Sequence, residues 1–569
     1  MEIKRPQRTF VSSDFELNSW DDLKAYYDNL TDCTFHNQSD FDRWLKDRSE
    51  LEAVIEENAA WRYIRMTIDT TDEKLAESYR FFTAEIQPQL APYEDRLNKK
   101  MMESPYLSEY QSEAHQIYFR SVQKSIEMFR EENIPLQSEI SDLTQEYGAI
   151  TGKQSINYEG QELTMQQAAQ KLKDQDPEVR EKVFRLISER RMQDRQQLDE
   201  LFDKLIQKRH QVALNAGYEN YRDYKFDELG RFDYTKEDCF DFHASIKKHV
   251  VPLAKLQHEE RARALGKEKL LPWDTEVDPL GRKALKPFDG ATELVERTIN
   301  IFGKISPYYG DCIQTMSGMK HLDLESKPGK APGGYNYPLY EIGVPFIFMN
   351  SVGSQRDLVT MVHEGGHAIH SFLSRELELT SFKSLPSEVA ELASMSMELL
   401  SMGYWDQFYA DREELNRAKK DHLESIISVL PWIAMVDEFQ HWIYSNPKHT
   451  ALDRKQKWEA LGKDYGTGMV DWTGWEEVKA YSWHRQLHIF EVPFYYIEYG
   501  IAQLGAISVW RNSQNDFSKA IKAYEEALKL GYSKSIPQIY ETAAIRFDFS
   551  DQYVSKLADF VSSELKELQ

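Results

Sequence analysis

The amino-acid sequence predicts a mainly α-helical protein of two or more lobes, with one small antiparallel β-sheet. The chain has 569 residues, which is more than one simple core accommodates. Glycine (26) and proline (20) are scarce for this length, and this favours long helices over many short, turned strands. Hydrophobic residues (41%) and aromatic residues (12%) suffice to bury a sizeable interior, so a disordered chain is not expected.

The first part of the chain is typical of consecutive amphipathic helices. Over residues 20–147 apolar side chains recur at three- and four-residue spacing, as in RWLKDRSELEAVIEENAAWRYIRM. Alternation around the pair Glu159-Gly160 then predicts a short hairpin at 152–164. We therefore divide the chain into an N-terminal helical lobe, residues 1–150, and a second region, residues 151–569.

The second region is again predicted to be helical, apart from two stretches that differ in residue composition. Proline, glycine and charge mix over 264–290, which we interpret as a loop. Residues 319–350, HLDLESKPGKAPGGYNYPLYEIGVPFIFMN, are the most strand-like part of the chain and predict the small sheet. Helical periodicity then returns and continues towards the C-terminus.

Charge and cysteine content exclude several classes of function. The net charge is −24, from 94 acidic and 70 basic residues, whereas binding of nucleic acid or anionic membranes needs clustered Lys and Arg. The three cysteines, Cys33, Cys239 and Cys312, lie far apart and predict neither a disulfide framework nor a thiolate zinc knuckle. With no run of apolar residues typical of a signal peptide or membrane span, we expect a cytoplasmic protein.

Directly after the strand-like segment, the motif HEGGH indicates a metal site. Ser354 and Asp357 form a capping-box pattern that predicts a helix over about 355–376. On this helix His363 and His367 stand at i and i+4, on one face, where two imidazoles can bind one zinc ion.

Glu364 follows the first histidine and is rotated about 100° around the helix axis, beside the metal without ligating it. A general base for the attacking water belongs in this position. The metzincin class of zinc peptidases would need Gly and His three and six residues after His367. Those positions hold His370 and Leu373, so that class is excluded.

The third metal ligand is predicted on the next helix, over about 386–402. This helix offers three carboxylates: Glu388, Glu391 and Glu398. Glu391 and Glu398 are seven residues apart and share a face, so we favour Glu391 as the ligand and Glu398 as the partner of a ligating histidine. Glu388 is the alternative ligand, although a first-turn carboxylate can simply complement the helix dipole.

With HEGGHAIH followed by ELASMSME, the sequence resembles the thimet oligopeptidase / oligoendopeptidase F family of zinc metallopeptidases. That family has a HExGHxxH core and a glutamate ligand within E-x-(A/P)-S-x-x-x-E, which the stretch from Glu391 to Glu398 matches and Glu388 does not. Further similar segments lie between residues 165 and 569, namely DPEVREKVFR, HQVALNAGYENYRDY, KPGKAPGGY and HIFEVPFYYIEYGIAQL.

The resemblance implies two helical lobes that enclose a deep substrate channel, with one Zn²⁺ per chain and residues 151–569 as the catalytic metallopeptidase region. It also implies that a histidine and tyrosines of a late segment bind substrate and stabilise the oxyanion. Here that segment supplies His488, Tyr495, Tyr496 and Tyr499, and which of the tyrosines faces the metal stays open.

We therefore expect a zinc-dependent endopeptidase that hydrolyses short, unstructured oligopeptides. Strand addition of the substrate backbone is expected around Pro345–Asn350. The alternative enzyme is a zinc carboxypeptidase or dipeptidyl carboxypeptidase, with Arg485 or Lys383 as the clamp for the terminal carboxylate. The alternative from another class is a catalytically inactive peptide-binding protein.

Overall fold

The computed structural model describes residue 1 and residues 3–568. The predicted, mainly helical fold is confirmed. Two compact units can be distinguished, each assembled from three segments: the first from Met1–Phe129, Leu285–Lys419 and Ala502–Phe547, the second from Arg130–Ala284, Lys420–Ile501 and Asp548–Gln569. The predicted functional boundary at residue 150 stays a prediction.

Helices account for most of both units. Those of the first unit are α1 (Trp20–Asp32), α2 (Gln38–Ile68), α3 (Glu73–Phe81), α4 (Gln87–Met102), α5 (Glu113–Met128), α13 (Gly290–Ile305), α14 (Pro307–Gly318), α15 (Gln355–Ser374), α16 (Thr380–Lys383), α17 (Ser387–Ser401), α23 (Phe517–Lys529) and α24 (Ile536–Thr542). Those of the second unit are α6 (Asn133–Gly152), α7 (Met165–Lys171), α8 (Pro177–Gln193), α9 (Arg195–Asn215), α10 (Tyr221–Glu228), α11 (Lys236–His249), α12 (Val251–Ala264), α19 (Ala451–Asp464), α20 (Glu476–Ala480), α21 (Leu487–Glu491) and α25 (Asp551–Glu567). Two further helices, α18 (Arg412–Ser445) and α22 (Tyr496–Asn515), have residues in both units.

The hairpin predicted around Glu159-Gly160 is confirmed in the second unit. Strands β1 (Ser155–Tyr158) and β2 (Gln161–Thr164) pair in antiparallel fashion. Their two-residue turn has positive φ at Glu159 (55°) and Gly160 (83°), as a type I′ turn requires. Glycine adopts a positive φ without strain, and this is the physical reason why the pair Glu159-Gly160 predicts a turn.

The small sheet beside the metal-motif helix lies in the first unit. It has the order β3 (Leu322–Glu325), β5 (Phe346–Ser351), β4 (Tyr335–Tyr337). The expected antiparallel pairing joins β4 to β5, while β3 runs parallel to β5, so the sheet as a whole is mixed. All residues of β5 except Asn350 are buried, which explains its nearly continuous apolar run.

The expectation that a substrate pairs with the strand around Pro345–Asn350 is wrong. This strand is the centre of the sheet, and its two edges are already hydrogen-bonded to β3 and β4. The order of the strands in the sheet could not be deduced from the sequence, because the order along the chain does not tell which of β3, β4 and β5 lies in the middle. The outer strands of the sheet are β3 and β4.

None of the helices in the described residues combines the length and apolar character needed to cross a bilayer.

Candidate metal centre and active site

Helix α15 carries the HEGGH motif and begins where the sequence predicts. Ser354 Oγ accepts a hydrogen bond from the Asp357 amide (3.3 Å), and Asp357 Oδ2 accepts one from the Ser354 amide (2.8 Å), which completes the capping box. One turn apart on this helix, the rings of His363 and His367 lie with centroids 4.9 Å apart. The i, i+4 spacing thus places both imidazoles at one point on the helix face.

The two glycines of the motif allow the surrounding helices to approach α15 closely. A Cβ atom at Gly366 would lie 2.6 Å from the Cα of Ser394 and 2.8 Å from the carbonyl oxygen of Ala393, both on α17. A Cβ atom at Gly365 would lie 2.5 Å from the ring of Phe302 on α13. Gly366 therefore allows α17, which carries the candidate ligand Glu391, to approach the histidines, and Gly365 allows α13 to pack against the motif.

Replacing Gly366 with Ala is expected to destabilise the protein and weaken metal binding. The added methyl group meets backbone atoms of α17 that cannot rotate away, and overpacking of this kind costs about 1–3 kcal/mol. The matched control is Gly303→Ala on α13, where nothing lies within 4 Å of the added Cβ. Urea unfolding and metal titration of both variants check this; equal stability and equal metal affinity of the two would contradict it.

Three side chains of the kinds that can bind a metal meet where α15 faces α17. Within the described residues, the donor atoms of His363, His367 and Glu391 all lie within 4.8 Å of one another. His363 Nε2 is 3.4 Å and His367 Nε2 is 3.8 Å from Glu391 Oε2. The alternative ligand, Glu388, is buried one turn earlier on α17 and is not part of this group.

Two carboxylates stabilise positive charge on His363. Its Nδ1 lies 2.6 Å from Glu398 Oε1, while its Nε2 faces Glu391. Burial lowers the pKa of His363, but the hydrogen bonds to Glu391 and Glu398 outweigh burial and hold the pKa well above its usual value. The pocket therefore favours a cationic centre, whether a proton or a metal ion supplies the charge.

The other two donors are in the protonation states that coordination needs. Burial alone would raise the pKa of Glu391, but the hydrogen bond from His363 and the neighbouring imidazole charges lower it to about 2, so the carboxylate is ionised. Burial lowers the pKa of His367 to about 4, which leaves a neutral imidazole with a free lone pair. Ser394 Oγ lies 3.1 Å from Glu391 Oε2 and donates a hydrogen bond to it.

Glu364 is suited to accept and return a proton at neutral pH. Its side chain is buried, and burial raises its pKa to about 7, with a lowering effect from His363 and a further raising effect from Glu391. A base with a pKa near the working pH is the most effective one. The Glu364 backbone carbonyl accepts a hydrogen bond from Asn336 Nδ2 (3.2 Å) on β4, which ties the edge strand to the motif.

The four residues predicted on the late segment lie together in the second unit. Ring centroids are 6.2 Å apart for His488 and Tyr495, 4.7 Å for His488 and Tyr496, and 6.0 Å for His488 and Tyr499. Burial lowers the pKa of His488 to about 4, so its ring is neutral, and its Nδ1 lies 2.6 Å from the side-chain Nε2 of Gln486. Their roles in substrate binding and oxyanion stabilisation stay a prediction.

The sequence predicted Glu398 as a partner of a candidate ligand, but two other residues that contact the site, Ser394 and Asn336, were missed. Ser394 could have been found from its place one turn after Glu391 on a helix of small residues. Asn336 gave no local signal, because its contact depends on the pairing of β4 with β5. Arg485 and Lys383 were the candidates for binding the terminal carboxylate of a substrate in the carboxypeptidase alternative. The Arg485 guanidinium lies 5.1 Å from the ring centroid of Trp432, and Lys383 is the last residue of α16.

Comparison with known proteins places the chain in a family. Residues 171–559 match the model of peptidase family M3, and residues 10–129 match that of the peptidase M3 N-terminal domain. The chain belongs to peptidase family M3. Membership of this family implies a metal cofactor, and the predicted resemblance to the oligoendopeptidase F group is confirmed.

Among relatives of family M3, the oligoendopeptidase F homolog of Borreliella burgdorferi is 22% identical over 372 residues, or 64% of this chain and 61% of that protein. The plasmid-encoded oligoendopeptidase F of Lactococcus lactis subsp. cremoris is 23% identical over 373 residues, or 63% of this chain and 58% of that protein. The aligned region thus spans about three fifths of these relatives. The structure of PZ peptidase A with an inhibitor superposes with a TM-score of 0.90 and 27% identity, and it covers 98% of this chain and 99% of that one.

Proposed function

We propose that this chain is a zinc-dependent endopeptidase that hydrolyses internal bonds of short oligopeptides. The observation that carries the proposal is the meeting of His363, His367 and Glu391, with Glu364 following His363 on α15 and under the electrostatic influence of His363 and Glu391. The names of the relatives, oligoendopeptidase F and PZ peptidase A, support the same activity. The three cysteines form no disulfides, which supports a reducing, cytoplasmic location.

The donor set fits Zn²⁺ by chemistry and by distance. Zinc prefers imidazole nitrogen and carboxylate oxygen at about 2.0–2.2 Å in tetrahedral geometry, so two ligand atoms are about 3.3–3.6 Å apart. The observed separations of 3.4 and 3.8 Å between the histidine nitrogens and Glu391 Oε2 need only a small adjustment. Three protein donors would leave one position for water or substrate, as catalytic sites require.

A zinc ion held by His363, His367 and Glu391 would supply Lewis-acid polarisation of the peptide carbonyl and would lower the pKa of a water molecule to about 7. The carboxylate of Glu364 takes the proton of the attacking water and later delivers it to the leaving amine nitrogen. Its raised pKa suits both transfers, because a carboxyl group titrating near neutrality holds the proton only transiently. Burial keeps bulk water from competing for this proton.

Glu398 positions His363 by accepting the proton of Nδ1, and this leaves Nε2 as the donor atom towards the metal. Glu398→Gln is expected to lower metal affinity about 10–100-fold, the usual loss when such an outer partner is removed. Isothermal titration with Zn²⁺ measures the affinity, and kcat at saturating Zn²⁺ separates the roles: kcat should largely recover. Unchanged affinity would show that Glu398 does not orient His363.

Substrate binding is proposed to involve two further elements. The outer edge of β4 can accept an extended peptide backbone, and such recognition leaves side-chain preference broad. In the second unit, hydroxyl groups of Tyr495, Tyr496 and Tyr499 together with His488 are proposed to bind substrate and to stabilise the oxyanion, as preorganised donors do.

Cleavage is expected to be confined to short, flexible peptides. The His363 and His367 side chains are only 20% and 19% exposed, so a scissile bond must be extended over several residues to reach them. A folded substrate would first unfold locally, at about 1–2 kcal/mol per residue. To test this, one scissile sequence is placed in peptides of increasing length and in a loop of a folded domain, and the cleavage rates are compared. Equal rates for the loop and the short peptide would contradict the expectation.

The test of the proposed function uses an internally quenched peptide that is blocked at both ends. An endopeptidase cuts it in the middle, and mass spectrometry of the products identifies the bond. A carboxypeptidase or dipeptidyl carboxypeptidase leaves it intact but cuts the same peptide with a free C-terminus. A peptide-binding protein without catalysis cuts neither, and both of these outcomes would overturn the proposal.

A further inference from the structure

A second group of metal-binding side chains lies in the second unit, on α11 and α18. Cys239 and His243 stand at i and i+4 on α11, and Asp437 and His441 stand at i and i+4 on α18. None of the four is more than 4% exposed. The same spacing that pairs the histidines of HEGGH thus recurs twice, on two helices that place these side chains together.

The distances resemble those of a coordination site. Donor atoms of Cys239, Asp437 and His441 all lie within 4.8 Å of one another. His441 Nε2 is 3.2 Å from Asp437 Oδ2. The same oxygen lies 2.7 Å from His243 Nε2, so a hydrogen bond from His243 fixes the orientation of the carboxylate.

Three polar atoms of this group are buried without a hydrogen-bond partner. Asp437 Oδ1, His441 Nδ1 and His441 Nε2 make no hydrogen bond to any of the residues that the structure describes. The His441 ring is packed among aromatic side chains, with centroid distances of 5.7 Å to Phe226, 5.0 Å to Phe240 and 5.3 Å to Phe494. A carboxylate with no exposed surface, in such apolar surroundings, needs a compensating positive charge.

We propose that Cys239, Asp437 and His441 bind a second, structural metal ion of the thiophilic divalent class, such as Zn²⁺. Sulfur, nitrogen and oxygen donors suit zinc and cobalt, whereas Mg²⁺ and Ca²⁺ prefer oxygen ligands alone. Binding displaces the thiol proton of Cys239 to solvent, and the resulting thiolate and the Asp437 carboxylate together neutralise the two positive charges of the ion. His243 acts as the positioning residue for Asp437 and not as a ligand.

The ion would join α11 to α18 within the second unit. All three proposed ligands are buried, so the ion would stabilise the second unit and would not contact a substrate. The rival interpretation is a buried network of hydrogen bonds among His243, Asp437 and His441 without any ion, in which an imidazole proton supplies the charge. The two interpretations differ in metal content and in whether Cys239 is a ligand.

Cobalt titration distinguishes them, because a thiolate bound to Co²⁺ gives a ligand-to-metal charge-transfer absorption that imidazole and carboxylate ligands do not give. In the described residues, the groups of three or more metal-binding side chains are this one and the HEGGH group, and only this one contains a cysteine. The full-length protein is therefore expected to show the absorption and to bind two equivalents of Co²⁺. Replacing both His363 and His367 with Ala should remove one equivalent and keep the absorption.

Matched variants assign the ligand. Cys239→Ser should abolish the absorption and one equivalent of Co²⁺, whereas Cys312→Ser, at another buried thiol, should keep both. Absence of the absorption from the wild-type protein, or its persistence in Cys239→Ser, would overturn the proposal. The wild-type measurement decides even where a substitution at Cys239 prevents folding. A failure of the HEGGH site to bind metal would be detected separately. In that case the variant with Ala at both His363 and His367 would bind as much Co²⁺ as the wild type.

Discussion

Replacing Glu364 with Gln is expected to lower kcat by at least about 10²–10⁴-fold while metal content and folding stay unchanged. The amide has the size of the carboxyl group but cannot accept the proton of the attacking water. Glu364 is buried, so its side chain is largely shielded from bulk solvent. Its pKa of about 7 makes it the group in this pocket that can both gain and release a proton near neutrality.

Single-turnover hydrolysis of the quenched peptide, with metal content measured on the same sample, checks this prediction. The control is Glu388→Gln, an equally buried glutamate on α17 that lies outside the donor group. It should keep turnover close to that of the wild type. If Glu364→Gln retained near-normal kcat with its metal bound, the assignment of Glu364 as general base would be wrong.

Replacing Glu391 with Gln is expected to weaken metal binding by more than the 10–100-fold that loss of an outer partner causes, because one of three direct donors becomes a neutral amide. The carboxylate of Glu391 is 3.4 and 3.8 Å from the two histidine nitrogens, and no other carboxylate oxygen joins this group within the described residues. Without it, two imidazoles remain as ligands, and activity at low metal concentration should fall in parallel.

Competition with a series of chelators of graded affinity measures the metal dissociation constant of Glu391→Gln and of Glu388→Gln. The two glutamates lie on the same helix, three residues apart, and both are buried. Metal loss confined to Glu388→Gln would reverse the choice of ligand. Equal, small losses in both variants would mean that neither carboxylate coordinates the metal.

Local sequence signals predicted those features that depend on short-range geometry. The i, i+4 pair of His363 and His367, the capping box at Ser354 and the turn at Glu159-Gly160 each follow from the spacing of a few neighbours. The favoured positions of Glu391 and Glu398 follow from helix periodicity, and the structure places Glu391 beside both histidines and Glu398 on His363.

Features that depend on contacts distant in sequence were missed or misjudged. The strand Phe346–Ser351 is central because β3 and β4 flank it, and its own sequence carries no information on that order. The glycines of HEGGH were interpreted as part of a motif, whereas their physical role is the close approach of Phe302 and α17. Cys239 gave no signal, because a Cys-x₃-His pair becomes a candidate site only when a second helix brings Asp437 beside it.

The most direct test of the central claim is an anomalous difference map from a crystal of the zinc-loaded protein, collected on the two sides of the zinc absorption edge. We expect a peak about 2.0–2.2 Å from His363 Nε2, His367 Nε2 and a carboxylate oxygen of Glu391, with Glu364 beside it but not bound. No peak at this position, or a peak whose third ligand is Glu388, would contradict the account.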